Sequence, residues 1–353
     1  MELSPSLSPS LAATAGDTRA YRETLNGGLP GWRVVHASGS AMEVYAHGAT
    51  VTSYKDARGR EYLMTSAASV FDGITPIRGG IPLIFPKFGA GWGGPSCPLD
   101  LPSHGFARRS SWTVGVEATA DGDRIAFTLD ESAISREHAA AWPYAFALTY
   151  IVSLGPHGFA TEMVVRNPAT AAAPFEFQTL LHTYYNIGAI EATSVTGLVG
   201  AAYVDQLQAG AVLTDGNPSI TFAAETDSIY KAALGISTTG GDDSAPAVNA
   251  LSIAGLALDG PADTGSTVEL RTLCSVDGDP RPNDVVVWNP WIAKAKRMAD
   301  FGDDEYRTML CVEPGAVDGP TTLSPGGVFK LKQIIEWKSG SASCAAPAAA
   351  PAK

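Results

Sequence analysis

Short runs in which apolar and polar residues alternate with a period of two recur along most of the chain. RIAFTLD at 124–130, YAFALTYIVSL at 144–154, FATEMVVRNP at 159–168, TVELRTL at 267–273 and GVFKLKQIIEW at 327–337 are of this kind. Successive side chains of a strand point to opposite faces, so these runs predict strands with one face buried. WRVVHA (32–37), AMEVYAHGATVTSYKD (41–56), FEFQTLLHTYYNI (175–187), DVVVWNP (284–290) and TMLCVEP (308–314) share the β-branched and aromatic texture. Helical signals are few: SREHAAAWP at 135–143, and DDEYRTM from residue 303 with acids in its first turn. Parallel strands need a crossover after each strand, usually a helix, and none intervenes here. The pattern therefore predicts an all-β fold, a large antiparallel β-sandwich.

No internal repeat and no linker interrupts residues 29–338, which are expected to form one domain. Residues 1–28 carry Ser-Pro repeats and residues 339–353 are rich in Ala and Pro. Both segments are expected to be low-complexity termini outside the domain, the first of them disordered.

Composition narrows the function classes. The chain has 353 residues, 45% apolar and 17% charged, against about 25% charged in an average domain. That is ample material for a core and excludes global disorder. A formal charge of −12 leaves no basic footprint for a run of phosphates, so nucleic acid is not an expected partner. No apolar run approaches the ~20 residues that span a bilayer, and Met1 to Ala20 has neither a basic start nor an apolar core of a signal peptide. A cytoplasmic protein with no membrane partner is expected. Cys97, Cys274, Cys311 and Cys344 lie far apart without a C-x-x-C pair. They read as free thiols, with neither a zinc site nor a disulfide framework signalled.

Five segments carry candidate chemistry, the last of them more weakly. PIRGGIPLIFPKFGAGWGG (76–94) has too many Gly and Pro residues for a regular strand and too many large apolar ones for a solvated loop. As an ordered, packed loop it can place Arg78 where its planar fork grips an anion; a surface arginine beside a turn is the plainer alternative, and Lys87 is ambiguous in the same way. LPSHGFARRSSW (101–112) brings His104, Arg108 and Arg109 together in an acidic chain. If the two loops face each other, Arg78 and Arg108 make a local positive pocket suited to a small anion. His182 in LLHTYYNIGAI (180–190) is either a hydrogen-bonded core histidine or a catalyst. Glu313, in LCVEPGAV (310–317), ends an apolar run, and a carboxylate there costs too much to bury without a partner or a purpose. Asp205 in YVDQL (203–207) is a weaker case that an exposed turn also explains.

RGGIPLIFPKFG, LPSHGFAR, HTYYNIGAI, YVDQL and above all VVVWNPWIAKAKRMADFGDDEYRTMLCVEPG (285–315) resemble, in this order, the glucose-6-phosphate 1-epimerase branch of the aldose 1-epimerase family. The resemblance spans roughly residues 30 to 338 and implies a galactose-mutarotase-like β-supersandwich. It implies catalysis by His182 and Glu313, substrate contacts from Arg78, Ser103 and Arg108, and Asp205 at the sugar hydroxyls. Ser103 stands where relatives usually carry Gln, so its shorter side chain reaches a ligand only through water or a shifted loop. His104 would bind the sugar, orient the acid or serve the scaffold.

The implied reaction exchanges the α and β anomers of glucose 6-phosphate, or of a related hexose 6-phosphate, by ring opening and reclosure. One base at O1 and one acid at O5 suffice, and no metal or redox cofactor is required. Glu313 is assigned as the base and His182 as the acid. The expected partner is a small hexose 6-phosphate, bound by a monomer. Rival readings are an aldose 1-epimerase acting on free sugars, a non-catalytic sugar-phosphate-binding protein, and a hydrolase or lyase on a similar sandwich. A hydrolase would need a second well-placed carboxylate.

Overall fold

The computed structural model describes residues 17–94, 96–119, 122–234, 250–256 and 266–338. Three sheets account for the described strands. The ten-stranded sheet runs through Ser219–Thr221, Ser194–Thr196, Leu251–Ala254, Thr267–Val276, Val328–Lys338, Gly158–Arg166, Ala147–Gly155, Gly122–Asp130 and Thr113–Thr119, with Asp279–Pro280 beside Thr267–Val276. The eight-stranded sheet runs through Ala211–Thr214, Ala202–Asp205, Thr226–Leu234, Asn283–Asn289, Met309–Leu323, Phe175–Leu181 and Leu83–Ile84, with Tyr184–Asn186 also paired to Met309–Leu323. The long ladders are antiparallel, as the absence of crossover helices predicts.

Period two decides what each face buries. In Ala147–Gly155 buried and half-buried residues alternate without a break, so one face meets the core and the other is wet. Asn283–Asn289 is buried throughout, because both of its faces are covered. Val285 and Val287 join the main core with Phe127, Leu148 and Tyr150 of the ten-stranded sheet, whereas Val286 and Trp288 join a second cluster on the opposite face. Leu310 and Val312 likewise face the main core, and Met309 and Cys311 the second cluster. The second cluster is where the candidate residues gather.

The four-stranded sheet, Thr18–Thr24, Pro30–His36, Ala41–Tyr45 and Val51–Lys55, corrects the N-terminal boundary. Residues 18–24 belong to the folded body and not to a disordered leader, pairing through seven residues with Pro30–His36. Their polar TRAYRET sequence suits an edge strand with one exposed face and carries no apolar run. Residues 1–16 and 339–353 lie outside the described residues. Cys97, Cys274 and Cys311 are buried free thiols, and Cys344 falls outside the described residues.

Of the expected helices, Arg136–Ala141 forms, with the Ser135 side chain accepting from the His138 N–H at its start. The DDEYRTM segment makes only a 3-10 turn, Glu305–Thr308. A short helix not predicted from sequence, Trp291–Ala295, follows Pro290. Fully buried Asn289 explains it: its Oδ1 accepts from Trp291 N at 2.9 Å while its Nδ2 donates to Tyr306 O and Met309 O, both at 2.8 Å. One amide thus ties the helix and the 305–308 turn to the sheet.

Candidate active site

Glu313 stands opposite Val286 in the ladder, and Cys311 opposite Tyr184. Residues two apart on a strand share a face, which sets Cys311 and Glu313 beside His182, whose N–H donates to Pro82 O at 3.1 Å. His182 Nδ1 and Glu313 Oε1 are 3.2 Å apart. The His182 ring stacks on Tyr184 with centroids 4.6 Å apart and meets Trp288 edge-on at 5.9 Å. Glu313 is 1% exposed and His182 6%.

Burial pushes the Glu313 carboxyl well above the usual carboxylate range, and the Asp227 carboxylate pushes it further. Burial pulls His182 well below the ordinary imidazole value, with His104, Arg78 and Arg108 adding to the effect. Both shifts favour the uncharged forms of the two side chains. The 3.2 Å approach of Nδ1 to Oε1 sets a carboxyl and an imidazole side by side, the two groups that one base and one acid require.

The two Gly-rich loops do face each other. Phe85 and Gly105 form a bridge, His104 N donates to Gly89 O at 3.1 Å, and Gly89 N donates to His104 Nδ1 at 3.2 Å. With Nδ1 accepting, the neutral His104 ring carries its proton on Nε2, and its centroid lies 5.8 Å from that of His182. Burial, then Arg108 and Arg78, keep His104 uncharged. Gly105 has φ +69°, and a Cβ there would lie 2.1 Å from Phe85 O. Gly105→Ala should therefore destabilise the fold by on the order of 1–3 kcal/mol, read as a lower midpoint in urea unfolding; an unchanged midpoint would show that the loop can open without cost.

Arg78 is not a free cation. Its Nε and Nη2 both reach Asp300 Oδ2, at 3.0 and 2.9 Å, and its Nη1 donates to Tyr184 Oη at 3.1 Å. Tyr184 Oη in turn lies 3.5 Å from His182 Nε2. Arg108, 8% exposed, donates from Nη2 to Ser103 O at 3.0 Å, and its Nε takes no partner. Burial and the nearby Arg78 pull its guanidinium down to about 10. The exposed Ser103 thus contributes its carbonyl to this arrangement. Lys87 is buried, with Nζ at 3.3 Å from Leu99 O and 3.5 Å from Ala90 O, so it fastens its loop.

Asp205 ends its strand. Its carboxylate accepts from Leu207 N at 2.8 Å and Gln208 Nε2 at 2.6 Å, capping the turn that follows its strand. Asp227, on the adjacent strand, is the acid whose field reaches Glu313. Lys294 holds it at 3.2 Å, bonds Glu225 at 3.4 Å and lies over the Trp288 ring. Sequence reasoning missed Asp227, Lys294, Tyr184, Trp288 and Asp300. Only Asp227 gave a usable signal, as a carboxylate entering the apolar strand of ETDSIYKAA.

The aldose 1-epimerase family profile matches residues 32–336. A protein from Cenchrus ciliaris named "Putative glucose-6-phosphate 1-epimerase" is 33% identical over 88% of this chain and 83% of its own length. One of the same name from Escherichia coli is 31% identical over 75% of this chain and 76% of its own. Among solved structures, a "putative mutarotase" from Salmonella typhimurium superposes with a TM-score of 0.70 at 25% identity, covering 90% of this chain and 93% of that one. A galactose 1-epimerase from Lactobacillus acidophilus shares the fold at 13% identity, with a TM-score of 0.62 over 92% of this chain and 100% of that one. With the profile spanning most of its length and these relatives aligned along it, the chain belongs to the aldose 1-epimerase family.

Proposed function

We propose that the protein interconverts the α and β anomers of glucose 6-phosphate, or of a related hexose 6-phosphate, as a cytoplasmic monomer. The observation that carries this reading is the 3.2 Å His182–Glu313 pair, buried beside the cations Arg78 and Arg108. The names of the relatives point to the same substrate class. Among the described residues no helix is long and apolar enough to cross a membrane.

The geometry supports an order of events. The proton of Glu313 passes to His182 Nδ1, leaving a carboxylate and an imidazolium with a second proton on Nε2. Glu313 takes the proton of the C1 hydroxyl as the C1–O5 bond breaks and C1=O1 forms, and His182 Nε2 gives its proton to O5. Rotation about C1–C2 and the reverse transfers close the ring on the other face. Tyr184, tied to Arg78, holds the imidazole from the Nε2 side. Asp227 both strengthens Glu313 as a base and offers an acceptor for a sugar hydroxyl.

NMR exchange spectroscopy of the anomeric protons of glucose 6-phosphate, with catalytic amounts of protein, tests the reading; exchange no faster than in buffer would end it. The pH profile gives a sharper check. Activity needs one proton on the pair. It falls in acid when His182 also becomes charged, below the ordinary imidazole value, and in alkali when Glu313 empties, above the ordinary carboxylate value. The result is a bell with a wide top, after correction for the substrate phosphate with its second pKa near ~6. Asp227→Asn removes the charge that raises Glu313, so the alkaline limb should move to lower pH. A limb that stays put in this variant would detach Asp227 from the base.

A further inference from the structure

Cys311 has no part in these proton transfers, yet it lies on the same strand face as Glu313. One donor atom each from His182, Cys311 and Glu313 fall within 4.8 Å of one another, and all three residues are buried. Two polar atoms of the cluster, His182 Nδ1 and Glu313 Oε2, have no protein hydrogen-bond partner. We propose that this cluster binds a thiophilic divalent cation of the zinc type, and that occupation of the site switches catalysis off.

The donor set is that of a zinc site with an open position: one imidazole nitrogen, one sulfur and one carboxylate oxygen, each at about 2.0–2.3 Å, with water as the fourth ligand. Donors at those lengths around a tetrahedral ion stand about 3.3–3.8 Å apart. Contracting the cluster from 4.8 Å therefore asks for roughly 1 Å of side-chain movement. Magnesium and calcium, which take six or more oxygens, do not fit a trio containing sulfur and nitrogen. As the ion binds, the Cys311 thiol proton and the Glu313 carboxyl proton both leave to solvent. The two anionic donors then cancel the double charge of the ion, so a bound site adds no net charge beside Arg78 and Arg108. The spacing of the cysteines gave no zinc signature because the donors come from separate segments that only the sheet brings together.

Because the ion takes up both His182 and Glu313, it excludes hexose 6-phosphate turnover; this inhibitory half rests on the reading given above, while binding does not. Cobalt serves as the optical probe. The full-length protein titrated with Co²⁺ should develop a thiolate-to-cobalt charge-transfer band that Zn²⁺ abolishes. The band should be absent in Cys311→Ala and weak or absent in Glu313→Gln. In the exchange assay, Cys311→Ala should keep its metal-free rate and need at least 10- to 100-fold more Zn²⁺ for half inhibition, since losing even a group that only supports a ligand costs about that much, and substrate should protect the unmodified enzyme. A cobalt band unchanged in Cys311→Ala, or zinc inhibition equal in both proteins, overturns the proposal. Should Cys311→Ala not fold, Cys311→Ser and Glu313→Gln decide the matter by the same band. A band that depends on Cys311 in a protein with no exchange activity would keep the metal site and remove the epimerase reading.

Discussion

Glu313→Gln and His182→Asn should each leave the sheets intact and slow anomer exchange by about 10²–10⁴-fold, the usual worth of one positioned proton-transfer group. Each replacement removes the ability to take and return a proton while roughly keeping the side chain's bulk. The structure adds an expectation about stability. Glu313 is buried, its carboxyl is pushed by burial toward the uncharged form, and its Oε2 has no hydrogen-bond partner, so an amide there strands no charge. Glu313→Gln should keep or raise the thermal midpoint, as often follows when a strained functional group is removed. The double variant should be little slower than either single one, because the pair works as a unit. Exchange rates by NMR and melting by circular dichroism check both parts, and full activity in either single variant would refute the assignment.

Arg108→Met should raise KM for glucose 6-phosphate by roughly 10- to 100-fold, as loss of one charge-assisted bond worth about 1.5–3 kcal/mol implies. Activity on free glucose should hardly change. Arg108 is chosen over Arg78 on structural grounds: Arg78 spends its fork on Asp300 and Tyr184, whereas Arg108 has an unpartnered Nε and only a carbonyl on Nη2. Methionine keeps the apolar stem packed and removes a buried charge from beside Arg78. Losing phosphate binding can also lower kcat, since binding energy at a remote group helps to orient the reacting carbon. Steady-state kinetics on the two sugars decide the point; equal losses on both would assign Arg108 to the ring or the scaffold.

The strands were legible because period two and β-branched composition are local properties. The fully buried Asn283–Asn289 strand was read from composition alone, having no polar face, and the exposed edge strand Thr18–Thr24, with few apolar positions, marks the limit of that signal. The helix Trp291–Ala295 was invisible because its start depends on Asn289, whose other bonds reach Tyr306 and Met309.

For the site, residue type and motif order singled out Arg78, His104, Arg108, His182 and Glu313, and the fold gathers all five. Sequence could not say which carboxylate sits by Glu313. Asp205 and Asp227 both flank apolar strands, and only ladder register and turn geometry separate a capping residue from one facing the base. The chain's order of apolar and polar residues determined an all-β, antiparallel protein with a small set of reactive side chains. Tertiary structure alone decided which face of the eight-stranded sheet they share, how closely His182 meets Glu313, and which arginine keeps an unpaired donor. Those are distances between segments far apart in sequence, fixed by pairing register and by burial on both faces, and no local pattern encodes them.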